Sequence, residues 1–188
     1  MQRSTARTLF PLMAALSIAG WVFPAEATTL IQLGTLDMLN LADVVAVGRV
    51  AATECYLHPE GGFPLTRILV NVELPLKGGA DASLLIEELG GQVGDLIGEV
   101  PGAPQYKVGE EVLVFLQAME NGTYRTYGMF QGKFAVVTDT VGERYLVNQR
   151  ADAMLMDQDR IQHVCPPLAD GRFPYVPFVE SIRARVGK

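Results

Sequence analysis

Alternating apolar and polar residues predict a chain built mainly from short β-strands. Residues 65–76 alternate most clearly, with Ile68 and Val70 on one face and Arg67 and Asn71 on the other. An almost continuous apolar run over residues 111–118 indicates a strand that is buried on both faces. The remaining predicted strands cover residues 44–55, 83–89, 124–128, 133–138 and 143–148.

Turn and helix signals arrange these strands into a fold. Asn121-Gly122 favours a tight hairpin turn, and Gly48 inside the first strand indicates a bulge or a sharp bend. A short helix is predicted over residues 36–42 with Thr35 as its cap, and a terminal helix over residues 178–186. The pattern predicts a mainly β fold. We expect a small OB-like Greek-key barrel with a short N-terminal helix and a C-terminal helix.

The first 27 residues have the pattern of a secretory signal peptide. Arg3 and Arg7 precede an apolar run over residues 9–22, and small residues flank Glu26 just before the predicted cleavage between Ala27 and Thr28. We therefore expect a periplasmic or secreted protein. Its β-barrel domain would cover residues 28–149, and an extended tail with the terminal helix would cover residues 150–188.

Charge and hydropathy exclude two classes of partner. The chain has 15 basic and 21 acidic residues, a net charge of −6, and such a balance does not attract phosphate backbones. After signal cleavage no later segment is both long and uncharged enough to span a bilayer. We expect neither a nucleic-acid partner nor a membrane span.

The two cysteines, Cys55 and Cys165, are expected to form a disulfide, because an even count in an exported chain favours pairing. The alternative is a pair of buried free thiols. A zinc site is the weakest interpretation, since two isolated cysteines lack the close ligand spacing of zinc sites.

Residues that could carry catalysis are few. His58 and His163 lie in predicted loops, and neither mature serine has the surroundings of a nucleophile. Glu87 and Glu88 are adjacent in a strand, so their side chains point to opposite faces and cannot serve one site. We predict no catalytic residue, no cofactor and no metal; a hydrolase with an unrecognised site is an alternative.

The densest pattern resembles a group of uncharacterised exported bacterial proteins. The motifs shared with that group lie within residues 36–148 and are found at residues 42–48, 77–78, 101–104, 109–110 and 131–134. More distantly, the order of strands resembles the netrin-module barrel of tissue inhibitors of metalloproteinases. Those inhibitors grip zinc through an amino-terminal cysteine, whereas the mature chain here would start at Thr28. The resemblance therefore implies the fold and not that mechanism.

These observations favour a non-enzymatic binding or structural domain with a protein or cell-envelope ligand. The glycines and prolines of residues 91–106 either simply shape a loop or form a binding rim together with residues 131–134. For the rim we predict aromatic anchors and polar contacts from five residues: Tyr106, Arg125, Gln131, Lys133 and Phe134. An accessory or inhibitory role toward an exported protease is the other alternative.

Overall fold

The computed structural model describes residues 29–79, 81–149, 154–156 and 161–187. The predicted signal peptide, residues 1–27, lies outside these residues. The helices are α1 (Thr35–Leu41), α2 (Tyr175–Val186) and a short 3-10 helix (Met129–Gly132). The strands are β1 (Thr29–Ile31), β2 (Val44–Leu57), β3 (Pro64–Lys77), β4 (Ser83–Leu89), β5 (Gly91–Val93), β6 (Leu96–Gly98), β7 (Glu111–Ala118), β8 (Tyr124–Thr126), β9 (Lys133–Thr138), β10 (Arg144–Asn148), β11 (Met154–Met156) and β12 (Phe173–Pro174).

Five strands close into a barrel in the order β7-β2-β3-β4-β8, with β8 returning to β7. All neighbours in the ring are antiparallel except β4 and β8, which run parallel where Ile86 pairs with Tyr124. Strands β9, β10 and β12 extend the sheet beyond β7. Together with α1 and α2, this arrangement confirms the predicted mainly β, OB-like barrel with a helix near each end.

Glycines allow the barrel to bend and turn where the sequence predicted. The register of β2 against β3 shifts between Val47 and Gly48, and a side chain at Gly48 would meet the carbonyl oxygen of Asn71 at 2.4 Å. Gly122 has a φ of 80° in the turn between β7 and β8, a conformation that side chains disfavour. Both the bulge and the hairpin turn are therefore confirmed.

The sheet carries an apolar core on each of its faces. Alternate residues of β2 and β7 point to opposite sides, so that Val114 faces the barrel interior and Phe115 faces the helices. The interior core contains Val44, Ala46, Val50, Ile68, Val70, Leu84, Ile86, Val112, Val114 and Leu116. The outer core joins α1, α2 and β12 to the sheet through residues that include Met38, Leu113, Phe115, Phe134, Phe173, Phe178 and Ile182.

Helix α1 is held by distant residues rather than by the predicted cap. Gly34 occupies the N-cap position, and the Thr35 hydroxyl instead accepts a hydrogen bond of 2.9 Å from the backbone N–H of Val164. At the other end, the Lys77 ammonium donates to the carbonyls of Leu39 and Ala42, both at 2.7 Å. A cation at these unpaired carbonyls stabilises the C-terminus of the helix.

Five short strands lie in segments for which the sequence predicted no regular element, namely β1, β5, β6, β11 and β12. Residues 91–106, expected to be an irregular loop, begin with the β5–β6 hairpin. In the tail, β11 pairs in parallel with β1 near the start of the described chain. The terminal helix begins at Tyr175, three residues before its predicted start. Within the described residues, no helix has the length and apolarity needed to cross a membrane.

The predicted disulfide between Cys55 and Cys165 is wrong, because both residues are free thiols. Cys55 is exposed on β2, where its Sγ lies 3.3 Å from the hydroxyl of Thr66 on the neighbouring strand. Cys165 is buried in the outer core beside the helices. The tail returns to α1, where the backbone N–H of Val164 donates to Thr35, and therefore does not bring Cys165 to Cys55 on β2.

Candidate functional site

An open cleft of about 890 Å³ lies at one end of the barrel, where β3 begins and β4 ends. We call it the mouth cleft; its lining residues are 66, 68, 88–92, 97–106 and 149. The β5–β6 hairpin and the loop that follows it form one wall. Its volume is near the upper end of the range of about 300–1,000 Å³ that is typical of ligand pockets.

Glu88 forms the polar floor of the mouth cleft. Leu84 and Ile86 precede it on the inner face of β4, so the alternation of the strand points Glu88 toward the barrel interior as well. Its side chain is only 5% exposed, and Oε1 accepts the backbone N–H of Thr126 at 2.8 Å. The side chain of Thr126 hydrogen-bonds the same carboxyl group.

Burial raises the pKa of Glu88 to about 7, although hydrogen bonding from Thr126 and the positive charge of Arg125 act in the opposite direction. The carboxyl group therefore changes its charge near neutral pH. A carboxylate with this environment can accept a hydrogen bond from a ligand or pair with a cation.

Tyr106 is the predicted anchor that does line the mouth cleft. Its hydroxyl lies 2.6 Å from the Thr126 hydroxyl, and its ring packs against the interior core. Burial and the nearby Glu88 carboxylate raise the pKa of Tyr106 well above its ordinary value, against the opposing hydrogen bond of Thr126. Tyr106 and Glu88 therefore meet at Thr126, and the phenol stays protonated there at neutral pH.

Lys133 does not present a free charge to the mouth cleft. It is 4% exposed, and its ammonium lies 2.6 Å from the Glu110 carboxylate and 5.4 Å from the centre of the Tyr106 ring. Breaking a buried ion pair of this kind is costly, because it leaves the partner unpaired. Lys133 thus holds Glu110 and Tyr106 behind the cleft and does not line it.

Gln131 and Phe134, also predicted for the binding rim, are largely buried and do not line the mouth cleft. The Gln131 amide accepts the N–H of Leu33 at 2.8 Å and donates to the carbonyl of Ile31 at 3.0 Å, so it holds the N-terminal strand. Phe134 is 2% exposed in the outer core. Both residues lie on a separate, smaller cavity of about 270 Å³ and not on the mouth cleft.

Arg125 lies next to the mouth cleft but does not line it. Tyr124 packs on the interior core and Thr126 binds Tyr106, so Arg125 between them points to the other face of β8. Its Nε is buried without a hydrogen-bond partner among the described residues. Arg125 acts on the site through its positive charge, which lowers the pKa of Glu88.

Sequence reasoning missed Glu88 and Leu89 as residues of the site, and it included residues 91–106 in a binding rim without naming Ile97. Leu89 and Ile97 line the mouth cleft and are 40% and 60% exposed. A signal for Glu88 was present, because a carboxylate occupies a position at which the alternation of Leu84 and Ile86 requires an apolar residue. Such local violations of a pattern are expected at functional sites.

The charge of the mouth cleft has one sign. Glu88 and Glu99 are the charged residues among its lining, which contains no lysine, arginine or histidine among the described residues. The described residues also contain no cluster of three side chains that could hold a metal ion. The site can therefore attract a cation or a hydrogen-bond donor, and would repel an anion.

The two histidines lie outside the mouth cleft. His58 accepts the backbone N–H of Glu60 at 3.3 Å within its loop. His163 lines a smaller cavity of about 270 Å³, and its Nδ1 lies 3.3 Å from the backbone nitrogen of Thr35. Burial lowers the pKa of His163, which favours the neutral ring there.

Comparisons with protein-family models, curated proteins and solved structures give no match for this chain. The resemblance to exported bacterial proteins and to the netrin module therefore stays a prediction from the sequence.

Proposed function

We propose that this chain is an exported, non-enzymatic binding domain of the cell envelope or periplasm whose ligand enters the mouth cleft. The observation that carries the proposal is the Glu88 carboxyl group, which is buried in the floor of a cleft that is itself open to solvent. A polar group placed at the base of an otherwise partly apolar cleft is the usual arrangement of a binding site.

The cost of burying Glu88 supports a functional role. Among the ion pairs of the described residues, Glu88 takes part in none, whereas its neighbour Glu87 pairs with Arg67 at 2.8 Å. An ionised carboxyl group without a cation destabilises the folded state. A role in ligand binding would explain why a glutamate occupies this destabilising position.

The export part of the proposal rests on residues 1–27. Their basic start, apolar run and small residues at the cleavage site are typical of a secretory signal. The absence of an enzymatic role rests on the sequence, which offers no nucleophile and base in a suitable pattern. Inhibition of an exported protease and hydrolysis stay hypotheses, since no described contact favours either.

Site-specific photo-crosslinking in cells that export the protein tests this function. A crosslinking amino acid at Ile97 would sit in the mouth cleft, and the same residue at Leu96 is the matched control, because Leu96 is 47% exposed on the same strand but does not line the cleft. We expect an adduct from position 97 and none from position 96. Equal adducts from both positions, or none from position 97, would contradict the proposal.

Mass spectrometry of the exported protein tests the compartment in the same cells. We expect a chain that begins at Thr28 in the periplasmic or extracellular fraction. A full-length chain in the cytoplasmic fraction would refute export.

A further inference from the structure

We propose that the mouth cleft binds a basic side chain, arginine or lysine, on an extended segment of a partner protein, with the cation placed against Glu88. This inference rests on the proposed function, because it names the ligand class of the same site.

Charge complementarity points to a cation. Glu88 and Glu99 give the described lining a negative charge that no basic lining residue offsets. Oε1 of Glu88 accepts the backbone N–H of Thr126, and the Glu88 carboxyl group takes part in none of the ion pairs among the described residues. An ammonium or guanidinium group would supply the missing ion pair, and hydrogen bonds between charged partners are about twice as strong as neutral ones.

The walls of the cleft fit the aliphatic part of a basic side chain. Leu89 at the end of β4 and Ile97 on the hairpin both line the cleft, and they are 40% and 60% exposed. Lysine and arginine bury their methylene groups along such surfaces while their charged ends reach a polar partner. A cation delivered to Glu88 would therefore cover Leu89 and Ile97 with its own alkyl chain.

The size of the cleft points to a peptide segment. A volume of about 890 Å³ is suited to a drug-sized ligand and exceeds what one side chain fills. The rest of the lining offers polar groups for a neighbouring backbone, since Gln92, Gln105 and Gln149 belong to it. Because the cleft is open to solvent, an extended chain can lie across it with both of its ends free.

The test is an NMR titration of the purified chain with four probes. Binding is monitored through the amide resonances of Gly91 and Gly98, which lie in the cleft. The first probe is a short capped peptide with arginine between two leucines. The second replaces arginine with citrulline, which keeps the shape and removes the charge, and the third replaces it with glutamate. The fourth is agmatine, a free guanidinium compound without a peptide backbone.

We expect the arginine peptide to bind about tenfold or more tightly than the citrulline peptide, as the loss of a charged hydrogen bond implies. Glu88→Gln should remove that difference. Glu54→Gln is the matched control, because Glu54 is exposed and does not line the cleft, and it should leave the difference unchanged.

Each other outcome overturns a defined part of the inference. Equal binding of the arginine and citrulline peptides, or tighter binding of the glutamate peptide, refutes the cation while leaving a ligand in the cleft. Agmatine binding as tightly as the peptide refutes the peptide segment. If no probe shifts the cleft resonances, the inference fails, and crosslinking at Ile97 then decides whether the proposed function fails with it.

Discussion

Glu87 and Glu88 are consecutive residues of β4, and their carboxyl groups lie on opposite faces of the barrel wall. Burial would raise the pKa of Glu87, but hydrogen bonds from Tyr56, Arg67, Asn121 and Thr123 outweigh it and lower that pKa to about 2. Burial raises the pKa of Glu88 to about 7. The hydrogen bonds of Glu87 thus stabilise the barrel wall, whereas Glu88 lines the mouth cleft.

Replacing Glu88 with glutamine is expected to change how stability depends on pH. The pKa of Glu88 is about 7 in the folded protein, above its ordinary value of 4.5, so its stabilising contribution is full below 4.5 and is lost as the pH rises through 7. Glu88→Gln has no such loss. In denaturant unfolding, the free energy of unfolding of the variant relative to the wild type should rise by about 3 kcal/mol between pH 4.5 and about pH 8. Parallel pH profiles of the two proteins would contradict this.

Replacing Glu87 with glutamine is expected to have the opposite pH dependence. The folded pKa of Glu87 is about 2, below 4.5, so its contribution is full above 4.5 and is lost as the pH falls through 2. Because Arg67 is half-exposed and screened by solvent, we expect Glu87→Gln to cost about 2 kcal/mol at neutral pH. The difference should vanish in acid, and a cost that persists at low pH would show that packing and not charge is responsible.

Replacing Phe134 with alanine distinguishes a core residue from a ligand anchor. Phe134 is 2% exposed and meets the rings of Phe115, Phe173 and Phe178 at 5.9–6.1 Å between ring centres. We expect a loss of about 3–5 kcal/mol in the free energy of unfolding, the usual cost of such a cavity. Leu96→Ala, on the exposed hairpin, serves as the control and should cost far less. A small effect of Phe134→Ala would restore its predicted place on a rim.

The two cysteines are expected to react as separate thiols. Exposed Cys55 should be alkylated in the native protein, whereas Cys165 should react only after unfolding, because it is buried and burial raises its pKa. Mass spectrometry after alkylation, with and without denaturant, counts the modified sites. An untreated protein that gains two alkyl groups only after reduction would establish the disulfide after all.

The barrel could be predicted because its signals are local. Alternation identified β3 and β4, and Gly48 and Asn121-Gly122 marked the bulge and the hairpin turn before any long-range contact was known. The β5–β6 hairpin was not predicted, because its strands of three residues are too short to show a period.

The candidate site was harder to predict because burial depends on contacts between distant residues. The side chain of Gln131 accepts a hydrogen bond from Leu33, which is 98 residues away in the chain, and the sequence around Gln131 gives no sign of that contact. The pairing of Cys55 with Cys165 failed for the same reason, since the path of the tail decides it. Glu88 was accessible to sequence reasoning, as an acid in the apolar register of its strand.

The most direct test of the mouth cleft as a cation site is an NMR titration of the Glu88 side-chain carboxyl group, alone and with the arginine peptide. In the free protein we expect a midpoint of about 7. Arg125 acts on this group, as do the hydrogen bonds of Thr126, and both are present in either titration. A bound cation favours the ionised form, so the arginine peptide should lower the midpoint while the citrulline peptide leaves it unchanged. A free-protein midpoint near 4.5, or a midpoint that the arginine peptide does not move, would contradict a cation-binding Glu88.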